Sequence, residues 1–72
     1  MQAHDLERIA KTALRELGAG NPPVTVVADE RHPDRWRIDV AGNDPVSLSV
    51  RAGSGTTAQY VREQIVNQLT GR

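Results

Sequence analysis

The sequence contains no cysteine and no phenylalanine among its 72 residues. The lack of cysteine excludes disulfide bonds, thiolate catalysis and cysteine-ligated zinc sites. The lack of phenylalanine leaves Trp36, the one tryptophan, as the largest apolar side chain that a core can use. No apolar run approaches the ~18 residues of a membrane helix, and the amino-terminal residues lack the charged and apolar regions of a secretory signal peptide. We therefore expect a cytoplasmic protein that does not enter a membrane.

An excess of charge of either sign is also missing, because nine basic residues are balanced by nine acidic ones. Strong non-specific affinity for nucleic acid depends on neutralising many phosphates, so a net charge of zero argues against it. A chain of this length is close to the lower limit at which one hydrophobic core suffices without a metal or a disulfide. We predict a single small domain over residues 1–72.

Two segments have the apolar spacing of an amphipathic helix, in which one stripe faces the core. The first covers residues 3–17 and is ended by Gly18, Gly20 and the two prolines at 22–23. The second covers residues 57–69 and follows a loop rich in Gly, Ser and Thr that can supply an N-cap. The two stripes consist of Leu6, Ile9, Ala10, Ala13, Leu14 and Leu17, and of Ala58, Val61, Ile65 and Leu69.

Three segments between the helices alternate apolar and polar residues with the period of two that is typical of strands. They are residues 24–29, 35–41 and 46–51, and the middle one places Trp36 on its apolar side. Apolar residues lie opposite each other if the pairs are 28 with 36, 26 with 38, 24 with 40, 36 with 50, 38 with 48 and 40 with 46. The pattern predicts a three-stranded antiparallel meander with the segment 35–41 in the middle.

The order helix, strand, strand, strand, helix predicts a two-layer α+β fold. Each helix has one apolar stripe and the sheet has one apolar face, so we expect both helices to pack on that face. The other face is left in water. There, the register places Asp29 beside Arg35, and Arg37 has Asp39 and Thr25 within reach. Exposed ion pairs of this kind contribute ~0–1 kcal/mol and indicate no function.

Residues that carry catalytic chemistry are scarce. The two histidines are His4, near a helix end, and His32, in a turn, and their spacing is not that of zinc ligands. Carboxylates beside a turn histidine more often cap backbone N–H groups than act as acids or bases. The Gly-rich segment 53–57 precedes a helix, where phosphate can bind, but no lysine follows as in a P-loop. We predict no catalytic residue, no metal site and no cofactor.

Three local features between residues 11 and 69 together resemble a known family. They are the string KTALREL at 11–17, the four-residue spacing between His32 and Trp36, and the glycines 53 and 55 before a predicted helix in which Val61 and Ile65 would take the family's buried positions. In this order they are similar to the double-stranded RNA-binding domain. The resemblance implies an α-β-β-β-α fold with both helices on one face of the sheet.

The resemblance also implies an RNA interface formed by the first helix, the loop at 30–34 and the start of the second helix. The corresponding residues of this chain are Thr12, Glu16, His32, Gln59 and Arg62. The family's phosphate-binding lysines fall on Ala58 and Gln59 here, and only Arg62 matches a basic position. Because the cationic cluster is missing, we expect RNA binding to be weak or absent.

Another resemblance concerns catalysis. The strings RHPD at 31–34 and GT at 55–56 are similar to parts of the HicA-type mRNA interferases, which are small ribonuclease toxins. That family carries its histidine in a Gly-Ser-His motif, which has no match in this chain. A HicA-like ribonuclease that uses His32 is therefore the last of three hypotheses.

The preferred hypothesis is a non-enzymatic binding module whose partner is another protein or a second copy of this chain. In a simple meander the first and third strands are sheet edges, and an edge can accept a partner strand. Weak double-stranded RNA binding is the second hypothesis. Salt distinguishes these two, because RNA binding weakens steeply as salt rises whereas an apolar dimer persists.

Overall fold

The computed structural model describes residues 2–42 and 45–71. Its elements, in chain order, are α1 (Ala3–Glu16), β1 (Val24–Ala28), β2 (Arg35–Val40), β3 (Val46–Arg51) and α2 (Ala58–Thr70). The predicted order of two helices and three strands is confirmed. The turn predicted at 42–45 lies partly outside the described residues, at 43 and 44. Neither helix within the described ranges is long and apolar enough to cross a membrane.

The first turn of α1 is stabilised by an acidic side chain. The Asp5 carboxylate accepts a hydrogen bond of 3.0 Å from the backbone N–H of Gln2. This bond, assisted by the nearby charges of His4 and Arg8, lowers the pKa of Asp5 below its ordinary value of 3.8. A negative charge at this end also interacts favourably with the helix dipole.

The end of α1 differs from the prediction by one residue. Gly18 has a φ of 79°, in the left-handed region that glycine adopts without strain. The N–H of Ala19 then reaches back to the carbonyl of Leu14 at 2.9 Å, which closes the helix. The pattern predicts Leu17 in the buried stripe, but it lies at the C-cap and 43% of its surface is exposed.

The first two strands each end one residue before the predicted boundary. Residues 29 and 41 still continue the backbone pairing. Asp29 N–H donates to the carbonyl of Arg35 at 3.0 Å, and Ala41 N–H donates to the carbonyl of Pro23, just before β1, at 3.0 Å. At the first of these ends the Asp29 carboxylate accepts a hydrogen bond of 2.9 Å from the N–H of Arg31. This bond within the loop turns the chain away from the strand direction.

The helix α2 begins one residue later than predicted and ends one residue later. Thr57, predicted as its first residue, is the N-cap, and its hydroxyl oxygen accepts a hydrogen bond of 3.2 Å from the N–H of Tyr60. Threonine is a favoured N-cap because its oxygen satisfies an N–H that lacks a partner within the helix.

The predicted strand register is confirmed pair by pair. The sheet has the order β1-β2-β3, and both pairings are antiparallel. On the apolar face the opposing residues are Val24 and Val40, Val26 and Ile38, Ala28 and Trp36, Trp36 and Val50, Ile38 and Leu48, and Val40 and Val46. A shift of one residue would turn all of these side chains to the other face, so the hydrophobic pattern specifies this register strongly.

Both helices pack on this apolar face. The fully buried side chains of the core are contributed by the sheet and both helices, and the largest are Leu6, Ile38, Leu48, Val50, Val61 and Ile65. The opposite face of the sheet, called the open face below, carries Thr25, Val27, Arg35, Arg37, Asp39, Ser47, Ser49 and Arg51. No helix covers the open face within the described ranges.

Trp36 lies at the margin of the core and not at its centre. Its side chain is half-buried and packs against the core cluster. The indole Nε1–H donates a hydrogen bond of 3.0 Å to the carbonyl of Ala52. An indole N–H needs such a partner when it leaves water, so Trp36 sits where the end of β3 can supply one. The centre of the core is aliphatic, around Ile38 and Leu48.

Candidate functional site

The two edges of the sheet differ in how their backbone groups are bonded. Leu48 and Val50 hydrogen-bond to β2 through their backbone groups. The residues of β3 that alternate with them therefore direct their N–H and C=O groups away from β2, toward the edge of the sheet. At Ser49 both groups bond to the side chain of Gln68. Ser49 N–H donates to Gln68 Oε1 at 3.0 Å, and Gln68 Nε2 donates to the Ser49 carbonyl at 2.6 Å.

The same arrangement repeats one helical turn earlier. Arg51 N–H donates to Gln64 Oε1 at 2.9 Å, and Gln64 Nε2 donates to the Arg51 carbonyl at 2.8 Å. The amides of Gln64 and Gln68 thus take the place of a partner strand along β3. The prediction that β3 offers a free edge is wrong at Ser49 and Arg51. One feature of the sequence could have indicated these contacts, namely that Gln64 and Gln68 are four residues apart and lie on the same side of the apolar stripe of α2.

The edge of β1 is unpaired among the residues that the structure describes. The bonds at residues 29 and 41 show that Thr25 and Val27 direct their backbone groups toward β2. Val24, Val26 and Ala28 therefore direct theirs outward, and we call these outward groups the β1 edge. Within residues 2–42 and 45–71, no hydrogen-bond partner is found for them.

The side chains of β1 provide none of the features by which edge strands usually avoid pairing. Its sequence VTVVA contains no charge and no proline, whereas exposed edges are commonly protected by charged residues, prolines, bulges or a covering element. Val27 projects onto the open face, and 40% of its surface is exposed. Within the described residues, β1 is therefore the edge strand that its own side chains do not protect.

Four of the five residues that the RNA-binding resemblance implied lie together between the two helices. Thr12, Gln59 and Arg62 line a shallow groove with the apolar side chain of Ile9. The guanidinium of Arg62 donates two hydrogen bonds to the carboxylate of Glu16, from Nε at 3.3 Å and from Nη2 at 3.1 Å. The one basic residue that matches the family pattern is thus neutralised within the chain.

The fifth residue, His32, lies elsewhere. It occupies the loop between β1 and β2 and lines a different pocket, together with Arg35 and Arg51. Among the residues that the structure describes, no group of three or more His, Asp and Glu side chains is placed to hold a metal ion.

The Gly-rich loop before α2 bonds to itself. Gly53 N–H donates to the hydroxyl oxygen of Thr56 at 2.8 Å, and Thr56 N–H donates to the carbonyl of Gly53 at 3.2 Å. Phosphate-binding loops direct such N–H groups toward the ligand. Here the N–H groups of Gly53 and Thr56 bond within the loop and stabilise its conformation, as expected for a loop that precedes a helix N-cap.

Of the ion pairs expected on the open face, one is present. Arg37 Nε lies 3.2 Å from Asp39 Oδ2. Asp39 Oδ1 also accepts a hydrogen bond of 2.8 Å from the hydroxyl of Ser47. The pair of Asp29 with Arg35 is not found in the described ranges, because the Asp29 carboxylate bonds to the backbone of its own loop.

The comparisons with known proteins do not assign this chain to a family. No protein-family model matches it, and neither a curated protein nor a solved structure does. The resemblances to the double-stranded RNA-binding domain and to the HicA-type interferases therefore stay predictions.

Proposed function

We propose that this protein is a non-enzymatic interaction module that binds its partner as an added strand along the β1 edge. The supporting observation is the contrast between the two edges, because α2 bonds to β3 whereas the outward groups of β1 have no partner in the described ranges. In strand addition, backbone hydrogen bonds supply affinity and the alternating side chains supply specificity.

The partner that fits β1 best is a second copy of the same strand. An antiparallel pair centred on Val26 places Val24 opposite the partner's Ala28, and all three outward residues then exchange bonds, about six in total. On the open face Thr25 lies opposite the partner's Val27. The strand has no charge that would face a like charge in this arrangement. The pairing is isologous, so it closes as a dimer with two-fold symmetry.

The helix beside β1 is compatible with this symmetry. α1 packs over β1, and at 100° per residue its flank away from α2 carries Glu7 and Lys11. These two form an ion pair, with Lys11 Nζ 3.1 Å from Glu7 Oε1. Across a two-fold axis, the positive charge of Lys11 can face the negative charge of the partner's Glu7 and the reverse, so this surface is complementary to itself. Since β1 has only five residues, the dimer should be weak, with an interface at or below the ~1,200 Å² of specific stable complexes.

The test uses two variants that differ at one residue. Thr25→Glu/Val27→Glu places carboxylates opposite each other across the proposed two-fold axis, whereas Thr25→Lys/Val27→Glu places opposite charges there. We expect sedimentation of the parent chain in about 0.5 M salt to show concentration-dependent dimers, since screening at this salt leaves backbone pairing intact. The first variant should be monomeric, and the second should dimerise at least as well as the parent at low salt.

A matched control places a charge on the other edge strand. Ser49→Glu also changes an exposed residue of the open face, but on β3, where it lies opposite Arg37, and it should leave the dimer unchanged. Circular dichroism of each variant confirms that it is folded. A parent chain that stays monomeric at about millimolar concentration contradicts self-pairing, and equal dimerisation of the two double variants contradicts this register.

A further inference from the structure

Two arginines face each other on the open face. Arg35 and Arg51 are direct partners in the register of β2 and β3. The neighbouring bond from Ala52 N–H to the Asp34 carbonyl, at 2.8 Å, makes theirs a non-hydrogen-bonded pair. In such pairs the Cα atoms are ~4.5 Å apart and the side chains approach most closely. Like charges in this position repel each other and destabilise the sheet.

No carboxylate of the described residues compensates this repulsion. None lies within 4.0 Å of either guanidinium, although the ion pairs of Arg8, Arg37 and Arg62 are present. Asp34 lines the same pocket as the two arginines, but among the described residues it forms no ion pair with either of them. The Asp34 carboxylate lies against Gly53, where an added Cβ would meet it at 3.2 Å, and that of Asp29 bonds to its own loop.

Hydrogen bonds to the elements on either side hold the backbones of the two arginines in place. Arg35 N–H donates to the His32 carbonyl at 2.9 Å, and the Arg35 carbonyl accepts from Asp29 N–H at 3.0 Å. Arg51 is bonded at both backbone groups by Gln64. The two cations are thus placed side by side by the fold itself.

The two arginines line a pocket of about 290 Å³ at this end of the sheet, together with His32, Pro33 and Asp34. The Asp34 carboxylate is held against Gly53, so the two guanidinium groups remain available to an anion. Guanidinium groups offer forked N–H donors that match the oxygens of phosphate, often two bonds at a time. A phosphate monoester carries a charge of about −1.5 to −2 at pH 7, which suits two adjacent guanidinium groups. The geometry points to a binding site for a small, doubly charged oxyanion, either inorganic phosphate or a phosphate monoester, held by Arg35 and Arg51.

The site is separate from the β1 edge, so its test does not depend on dimerisation. The experiment is an NMR titration of the full chain with inorganic phosphate at constant ionic strength, following the Nε–H resonances of the arginines. We expect saturable shifts at Arg35 and Arg51. Arg35→Gln or Arg51→Gln should weaken binding about tenfold, the loss expected for one charge-assisted hydrogen bond.

The matched control is Arg37→Gln, on the same strand and face, because Arg37 already has Asp39 as its partner. It should bind phosphate as the parent does. Equal weakening by Arg37→Gln indicates only a diffusely basic face and overturns the site, as does an unchanged affinity in Arg35→Gln and Arg51→Gln.

Two further probes identify the class of ligand. Methyl phosphate tests whether a monoester is accepted, and dimethyl phosphate carries only one charge. We expect dimethyl phosphate to bind at least tenfold more weakly than inorganic phosphate, since it forms fewer charge-assisted bonds. If methyl phosphate binds as well as inorganic phosphate, the site accepts monoesters, and if it fails to bind, the site takes free phosphate. Equal binding of dimethyl phosphate overturns the assignment to a doubly charged anion.

Discussion

Trp36 connects the core to the end of β3 through both parts of its side chain. Its rings pack against the buried cluster, and its Nε1–H bonds to the carbonyl of Ala52. Ala52 in turn donates its N–H to the carbonyl of Asp34. A single large side chain thus holds in place the last hydrogen-bonded residues of the β2–β3 pairing, beside the two arginines of the proposed anion site.

Two substitutions separate the packing of Trp36 from its hydrogen bond. Trp36→Phe keeps most of the ring contacts but leaves the Ala52 carbonyl without its donor, so it should cost about 1 kcal/mol. Trp36→Ala removes both and should cost about 3 kcal/mol, at the low end for an aromatic residue because the side chain is only half-buried. Urea unfolding followed by circular dichroism measures both values, with Val27→Ala as a control expected within about 0.5 kcal/mol of the parent. A Trp36→Ala variant as stable as Val27→Ala would contradict the packing role.

At the scale of the elements, the central feature is the way in which α2 covers β3. Gln64 and Gln68 lie beside the buried stripe of the helix, so packing of Val61 and Ile65 brings both amides to the strand edge. One side chain amide offers a donor and an acceptor at the spacing of one residue's outward N–H and C=O. The helix therefore performs two tasks, filling the core and occupying the edge.

Removing these amides should expose the edge of β3. In the variant Gln64→Ala/Gln68→Ala, we expect the backbone amides of Ser49 and Arg51 to exchange hydrogen with solvent faster, because their acceptors are lost. The amides of Leu48 and Val50, which bond to β2, should keep most of their protection. Gln59→Ala/Asn67→Ala changes two exposed residues of the same helix and serves as the control. If exchange at Ser49 and Arg51 is the same in both double variants, the two glutamines do not protect the edge.

The sequence predicted the elements and their register because both depend on local periodicity. Alternation along 35–41 specified which residues face the core, and the register followed from pairing apolar with apolar residues. The exposure of Leu17 was not predicted, since it depends on the left-handed turn at Gly18. The glutamine contacts were not predicted either, because they depend on the distance between a helix and a strand edge that no local pattern encodes.

The candidate sites show the same difference between what local periodicity predicts and what depends on contacts between distant segments. The loop position of His32 and the helix positions of Thr12 and Arg62 followed from the element order. The sequence did not show that Glu16 and Arg62, which are 46 residues apart, bond to each other. It also did not show that Arg35 and Arg51 are neighbours without an ion-pair partner among the described residues, because that depends on the orientation of the nearby carboxylates as well as on the register.

For the molecule as a whole, the distribution of charge matters more than its sum. Basic side chains occur on α1, on the open face and on α2, and several are paired with acids. A double-stranded RNA-binding domain needs several cations in one patch, because release of counterions from phosphates supplies much of its affinity. In this chain the groove between the helices is lined by two cations, Arg8 and Arg62, and only Arg62 matches a basic position of that family. Both are paired with carboxylates, Arg8 with Asp5 and Arg62 with Glu16.

We therefore predict that the protein does not bind an RNA duplex of about 16–20 base pairs at physiological salt. Binding would require Arg62 to leave Glu16, and His32 lies in a different pocket from the groove between the helices. A fluorescence anisotropy titration at two salt concentrations measures this, and Glu16→Gln serves as a comparison that frees Arg62 without changing the shape of the groove. That variant gains one net positive charge and should still bind no tighter than about millimolar, since one cation neutralises one phosphate. Micromolar affinity of the parent chain that falls steeply with salt, and that Arg62→Ala and His32→Ala abolish, would refute this prediction and make RNA binding the leading function.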